Sequence, residues 1–210
     1  MTLEAFEETY RAYLARIAEV DLEARAGKLG ARMMGGAAVI PLLGREHRVS
    51  ASGIEDPAGG RPIHAVSVVL ARYVLSCPEA APGGGPEWVA YRDFPDAAPF
   101  VGGFETNAQR PIARRFRGRT DELREAVRAL GGGRCPVEVS ASLAAGLRAL
   151  PRVDLGLVFN DEDEEFPAQA TILFDRRSAC YLDPECLAIV GWLLADRLDE
   201  EAGGSHGTIM

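Results

Sequence analysis

The chain has 210 residues, 47% of them hydrophobic and 26% charged, with a net charge of -8. No stretch approaches the roughly 18 to 20 unbroken apolar residues that a membrane-spanning helix needs, so no membrane partner is expected. The negative field opposes broad attraction to anionic lipid and makes nucleic acid a poor candidate partner.

A chain of this length and apolar content can bury one sizeable core, and one domain is expected over residues 1–202, followed by a disordered Gly/Ser-rich tail at 203–210 that contains His206. Glu4, Glu7 and Glu8 stand where a secretory signal would be basic and then apolar, so the expected location is cytoplasmic. Cys77, Cys135, Cys180 and Cys186 form no C-x-x-C pair, which argues against a disulfide framework and against zinc or iron–sulfur ligation by these residues alone.

In chain order, Leu3, Phe6, Tyr10, Leu14 and Ile17 recur every three or four residues and predict an amphipathic helix. Asp21 caps a shorter helix to about Ala26, with Gly27 and Gly30 as the stop. Val39 to Leu43 and His47 to Ala51 flank Gly44-Arg45-Glu46, the spacing of a small hairpin. A helical face follows between Pro62 and Ser76. After the Pro/Gly-rich loop at Cys77 to Pro86 and a short segment at Trp88, two helices are expected, Phe104 to Phe116 with a kink at Pro111, and Thr120 to Leu130 with Thr120 as its cap.

Val137, Val139, Ala141 and Leu143 alternate with polar residues and predict a strand. Val153, Leu155, Leu157 and Phe159, then Ala170, Ile172 and Phe174, predict two more around an acidic turn at Asp161 to Glu165. Asp183-Pro184-Glu185 opens a final helix to about Leu198, with Asp183 as N-cap and Pro184 at the first helical position. The fold class is therefore α+β: N-terminal helices, a small hairpin, and a C-terminal antiparallel meander closed by a final helix. Leu155, Leu157, Phe159, Ile172, Phe174, Leu187, Val190 and Leu194 are the expected core.

The run Gly44-Arg45-Glu46-His47-Arg48-Val49-Ser50, the Trp88 segment, Arg110-Pro111-Ile112 with Phe116, Glu165-Phe166-Pro167-Ala168, Ile172-Leu173-Phe174-Asp175 and Tyr181-Leu182-Asp183 together resemble the landmarks of a prokaryotic family called domain of unknown function 3786. The resemblance spans nearly the whole chain and implies an architecture without an established activity. Some members of that family join the domain to a cysteine-rich iron–sulfur segment, which implies a setting in anaerobic redox or corrinoid metabolism. This chain lacks those cysteines, so the resemblance implies at most a shared partner or pathway.

Three constellations could carry chemistry. Asp175 and Asp183 bracket Arg176-Arg177 and could hold a metal or polarise a water, although capping and an Asx-type turn explain both. Cys180 and Cys186 flank the start of the final helix, where the helix dipole could activate a thiol, against the commoner reading as inert core cysteines. Arg110, Arg114 and Arg117 could share one face and bind a compact anion, against the reading as solvated or ion-paired helix arginines. The acidic turn lacks the spacing of a calcium loop, and no zincin, phosphate-loop, dinucleotide or nucleophile-elbow motif occurs. No catalytic residue, metal site or cofactor is assigned.

The expected function is a non-catalytic accessory or binding module for a small anionic molecule or a partner protein. The alternative is a metal-assisted hydrolase built on Asp175, Asp183 and the acidic turn.

Overall fold

The first helix, α1 (Leu3–Ala18), turns Tyr10 and Ile17 inward as its period requires. The structure is a computed structural model that describes residues 3–204; the Leu3 side chain and residues 205–210, including His206, lie outside the described residues. Helix α2 (Leu22–Leu29) begins at Asp21, whose carboxylate accepts from Ala24 N, and ends at Gly30, which takes a φ of 68°. Gly27 lies inside this helix, and Gly30 alone makes the stop.

The expected hairpin is the middle of a four-stranded antiparallel meander: β1 (Arg32–Met34), β2 (Ala37–Leu42), β3 (Arg45–Ser50) and β4 (Gly53–Glu55). Its central turn is two residues long, with Leu43 at φ 47° and Gly44 at φ 81°. Positive φ at both turn positions matches the twist of the flanking strands, so Arg45 and Glu46 join β3 instead of the loop. A leucine in this conformation costs about 1 kcal/mol or more. Its side chain is buried, and its N–H donates to Ala149 O at 2.8 Å, which ties the first sheet to the second.

Helix α3 (His64–Leu75) buries Val69, Leu70, Tyr73 and Val74, and the Tyr73 hydroxyl donates to Leu29 O at 2.7 Å. After β5 (Trp88–Ala90), the chain forms α4 (Val101–Phe104), one π-turn at Glu105–Gln109, and α5 (Arg110–Phe116). The kink expected at Pro111 is thus taken up by the preceding wide turn, where the ladder of backbone bonds is already rearranged. Gln109 uses that geometry to accept a bond from Ile172 N at 3.0 Å.

Helix α6 (Thr120–Ala129) starts after Arg119 with no side-chain cap, so Thr120 is its first residue and not its cap. Asp161 instead ties this start to the acidic turn, accepting from Gly118 N at 2.8 Å and from the Thr120 hydroxyl at 2.9 Å. The second sheet comprises β5, β6 (Gly133–Arg134), β7 (Leu143–Leu150), β8 (Val153–Asn160) and β9 (Gln169–Asp175), in the order β5-β9-β8-β7-β6 with every pair antiparallel.

The strand expected at Val137 to Leu143 begins only at Leu143, and Val139 is 45% exposed. Alternation marks an extended chain but does not supply a neighbour to pair with. The real strand, Leu-Ala-Ala-Gly-Leu-Arg-Ala-Leu, carries helix-forming residues and is held extended by β8 and β6. Gly146 permits that approach, because a Cβ there would stand 2.7 Å from the Arg134 carbonyl oxygen.

Helix α7 (Pro184–Glu201) closes the fold and touches α3, α4, α5 and α6. All eight expected core residues have 0% exposure. Phe174 lies within 6.2 Å, centroid to centroid, of the rings of Tyr91, Phe94 and Phe104, and Phe104 reaches across to Gly191 of α7.

Two glycine substitutions should move stability in opposite directions. Gly191→Ala would drive a methyl into the Phe104 ring and should cost about 1 to 3 kcal/mol. Gly27→Ala meets nothing within 4 Å in an ordinary helical conformation and should add about 0.5 to 1 kcal/mol. Urea titrations of both variants read the difference directly.

Candidate functional site

Asp183 starts α7 by accepting from Cys186 N at 2.9 Å, and Arg72 of α3 closes on the same carboxylate, with Nε at 3.0 Å and a second bond from Nη2. Burial pushes this carboxyl up, but the bonds from Cys186 and Arg72 outweigh it and hold its pKa below the usual value. Asp175, 4% exposed, accepts from Arg177 N at 3.0 Å and Arg177 Nε at 2.8 Å. Burial opposes its ionisation too, and the Arg177 bonds overcome that. Each aspartate sits in its own arginine clamp, and among the described residues no three His, Cys, Asp or Glu side chains gather closely enough to hold a metal ion.

Cys186 is buried, and burial followed by the nearby Asp183 carboxylate pushes its thiol far up, so the sulfur stays protonated. Cys180 is exposed, and both thiols are free.

Arg110 and Arg114 lie four residues apart on one face of α5, whereas Arg117 leaves the helix with ψ near 122°. Arg110 faces Glu105 at 3.8 Å, and Arg117 pairs with Glu162 at 2.7 Å. Arg114 is exposed and has no ion pair among the described residues. Arg115, which the sequence does not single out, is the structural member of the run: it bonds Asp199 at 2.5 Å, Glu122 at 3.3 Å and Ala202 O at 2.9 Å.

The acidic turn is likewise engaged. Asp161 anchors the start of α6, and Glu162 neutralises Arg117.

A well-formed concavity lies elsewhere, where the β2–β3 hairpin, the loop over residues 56–63 and the start of α3 face the end of α7. It is a cavity of about 480 Å³, within the range of small-molecule sites. Leu42, Leu43, Pro62, Ile63, Val66 and Trp192 supply its apolar lining. Arg45, His47, Asp56 and the polar residues of the last turns of α7 supply its polar wall.

His47 is the buried polar group of this wall, 4% exposed, with Nδ1 2.9 Å from the Arg45 carbonyl oxygen. A carbonyl only accepts, so Nδ1 carries the proton and Nε2 the lone pair. Burial lowers the His47 pKa, and the Arg45 carbonyl and Asp56 only partly counter it, so the ring is neutral at pH 7. Asp56 holds the loop, its Oδ1 accepting from Ala58 N and Gly60 N at 2.9 Å each. Arg45 bonds Glu200 at 2.8 Å, and Arg197 bonds Glu200 and Glu201.

None of these residues belongs to a spaced motif, because the two halves of the wall are 155 positions apart at the Arg45–Glu200 pair. The only sequence signals were a histidine on an inward strand position and a tryptophan on an apolar helix.

Fold and cavity together define an α+β protein of two antiparallel sheets and a central helix with a small-molecule-sized pocket at one end. Residues 21–197 match the family described as Domain of unknown function (DUF3786), and the chain belongs to that family. No curated protein and no solved structure matches the chain. No helix among the described residues is long and apolar enough to cross a membrane.

The arginine run should separate by substitution. Arg114→Glu should change stability by no more than about 0.5 kcal/mol, as for a solvated surface site. Arg115→Met, which leaves Asp199 and the Ala202 carbonyl without their donor, should cost about 1 to 3 kcal/mol by the same urea titration.

Acid sensitivity follows from the clamped aspartates. Asp161, Asp175 and Asp183 all titrate below the usual carboxylate value when folded. Their contribution is therefore complete above the unfolded pKa of about 4 and is lost as pH falls through the folded values. Stability measured between about pH 6 and pH 3 should drop on the acid side, and Asp183→Asn should drop less steeply.

Proposed function

We propose that this protein is a non-catalytic binding module whose ligand site is the cavity between the β2–β3 hairpin and the end of α7. The observation that carries the reading is a cavity of about 480 Å³ whose lining combines apolar side chains with a few polar groups, among them a buried neutral histidine. Concavity, apolar lining and a few fixed polar groups are the usual physical ingredients of a small-molecule site.

The arginine surface supports an anion less well, because Arg110 and Arg117 already face Glu105 and Glu162 and only Arg114 lacks an acidic partner among the described residues. The hydrolase reading draws no specific support from Asp175 and Asp183, since each carboxylate is occupied by an arginine and a backbone N–H.

The test blocks the mouth without touching the core. Ala58 lines the cavity and is exposed, so Ala58→Trp should leave the circular dichroism spectrum unchanged while narrowing the site. A chemically mixed fragment library screened by ligand-observed NMR should yield compounds that bind the native protein and bind the variant at least about tenfold more weakly, a loss of about 1.4 kcal/mol. An absence of binders, or binders indifferent to Ala58→Trp, would overturn the proposal.

A further inference from the structure

We propose that this cavity selects an organic cation, a molecule with an apolar body and a protonated amine or similar donor head, over the matching carboxylate. The inference rests on the reading of the cavity as the binding site and adds the chemical class of its occupant.

The argument is a balance of donors and acceptors. The arginine donors of the polar wall are engaged with acids: Arg45 with Glu200, and Arg197 with Glu200 and Glu201. Behind them, Arg115 holds Asp199. Two further donors, Trp192 Nε1 and Arg197 Nε, have no partner but are sealed from solvent, so a molecule in the cavity cannot reach them.

The acceptor side is different. His47 lines the cavity with its proton committed to the Arg45 carbonyl, which makes Nε2 the nitrogen left to accept a bond. Asp56 lines it as well, and the bonds that shape its loop fall on Oδ1, leaving Oδ2 as a second acceptor.

Charge points the same way. Arg45 and Arg197 are paired with Glu200 and Arg115 covers Asp199, whereas the Asp56 carboxylate on the loop accepts from backbone N–H groups, which leave its negative charge in place. An incoming carboxylate would meet acceptors and like charge, both of which cost free energy in a partly desolvated site. An ammonium head gains a charge-assisted bond to the Asp56 carboxylate and a bond to His47, while its body covers Leu42, Pro62, Ile63 and Trp192.

Three probes of one shape test this: 2-phenylethylamine, 2-phenylethanol and 3-phenylpropionate, titrated into the full chain at neutral pH. Binding is followed by chemical-shift changes at the Trp192 indole and by intrinsic fluorescence. The amine should bind at least about tenfold more tightly than the carboxylate, with the alcohol between them. Asp56→Asn keeps the Oδ1 acceptor that the loop needs and removes the charge, so it should weaken the amine several-fold more than the alcohol and thereby cut the amine's advantage.

A carboxylate that binds as tightly as the amine would overturn the cation assignment while leaving the cavity as a site. So would an amine advantage that Asp56→Asn does not reduce. Failure of all three probes to perturb Trp192 would overturn the assignment together with the binding-site reading on which it rests.

Discussion

Helix α7 is buried over more of its circumference than a surface helix can tolerate, and the rest of the molecule is arranged to satisfy it. Its buried residues, from Cys186 and Leu187 through Val190, Gly191 and the 193–195 run to Leu198, span an arc of roughly 200° at 100° per residue. A single sheet or helix covers about half that, so α3, α4, α5 and α6 all converge on it. Gly191 is the point of closest approach, because the absence of a side chain there admits the Phe104 ring and through it the aromatic cluster around Phe174. The second sheet is thereby coupled to α7 through the broken helix that contains the π-turn.

The cavity lies where this covering stops. From Trp192 onward the uncovered side of α7 presents Trp192, Asp196, Asp199 and Glu200 toward the β2–β3 hairpin and the loop after β4. The hairpin is fixed at its turn by the Leu43 bond to Ala149 and, one residue past the turn, by the Arg45 bond to Glu200. Both walls are therefore held by long-range contacts, and the volume between them is a consequence of how the first sheet is docked.

Electrostatics within the molecule run largely through paired arginines. Arg72 with Asp183, Arg115 with Asp199 and Arg117 with Glu162 join segments distant in the chain, and Arg177 with Asp175 closes a local turn. The exposed pairs among them contribute little individually, and their importance is that they remove the arginines and carboxylates in question from the pool available to a ligand. The groups that attract notice in the sequence, the arginine run and the acidic turn, are partners of each other at Arg117 and Glu162. His47, which belongs to no spaced motif, lines the cavity with its Nδ1 proton committed to the Arg45 carbonyl.

The amino-acid sequence by itself determined the features that depend on neighbours a few residues away. The start of α7 at Asp183-Pro184, the strands β8 and β9, the helices α1 and α3, and the eight-residue core were all legible, because period and capping act over one or two turns. Tertiary structure decided the rest. Leu143–Leu150 became a strand although its residues favour a helix, since pairing on both edges outweighs a local preference of a few tenths of a kcal/mol per residue. Asp161 took the hydroxyl bond of Thr120, 41 positions earlier in the chain, and Arg45 met Glu200 across 155. Such contacts leave no periodic trace, because each requires only one residue of the right charge at each end, and the fold alone determines which ends meet.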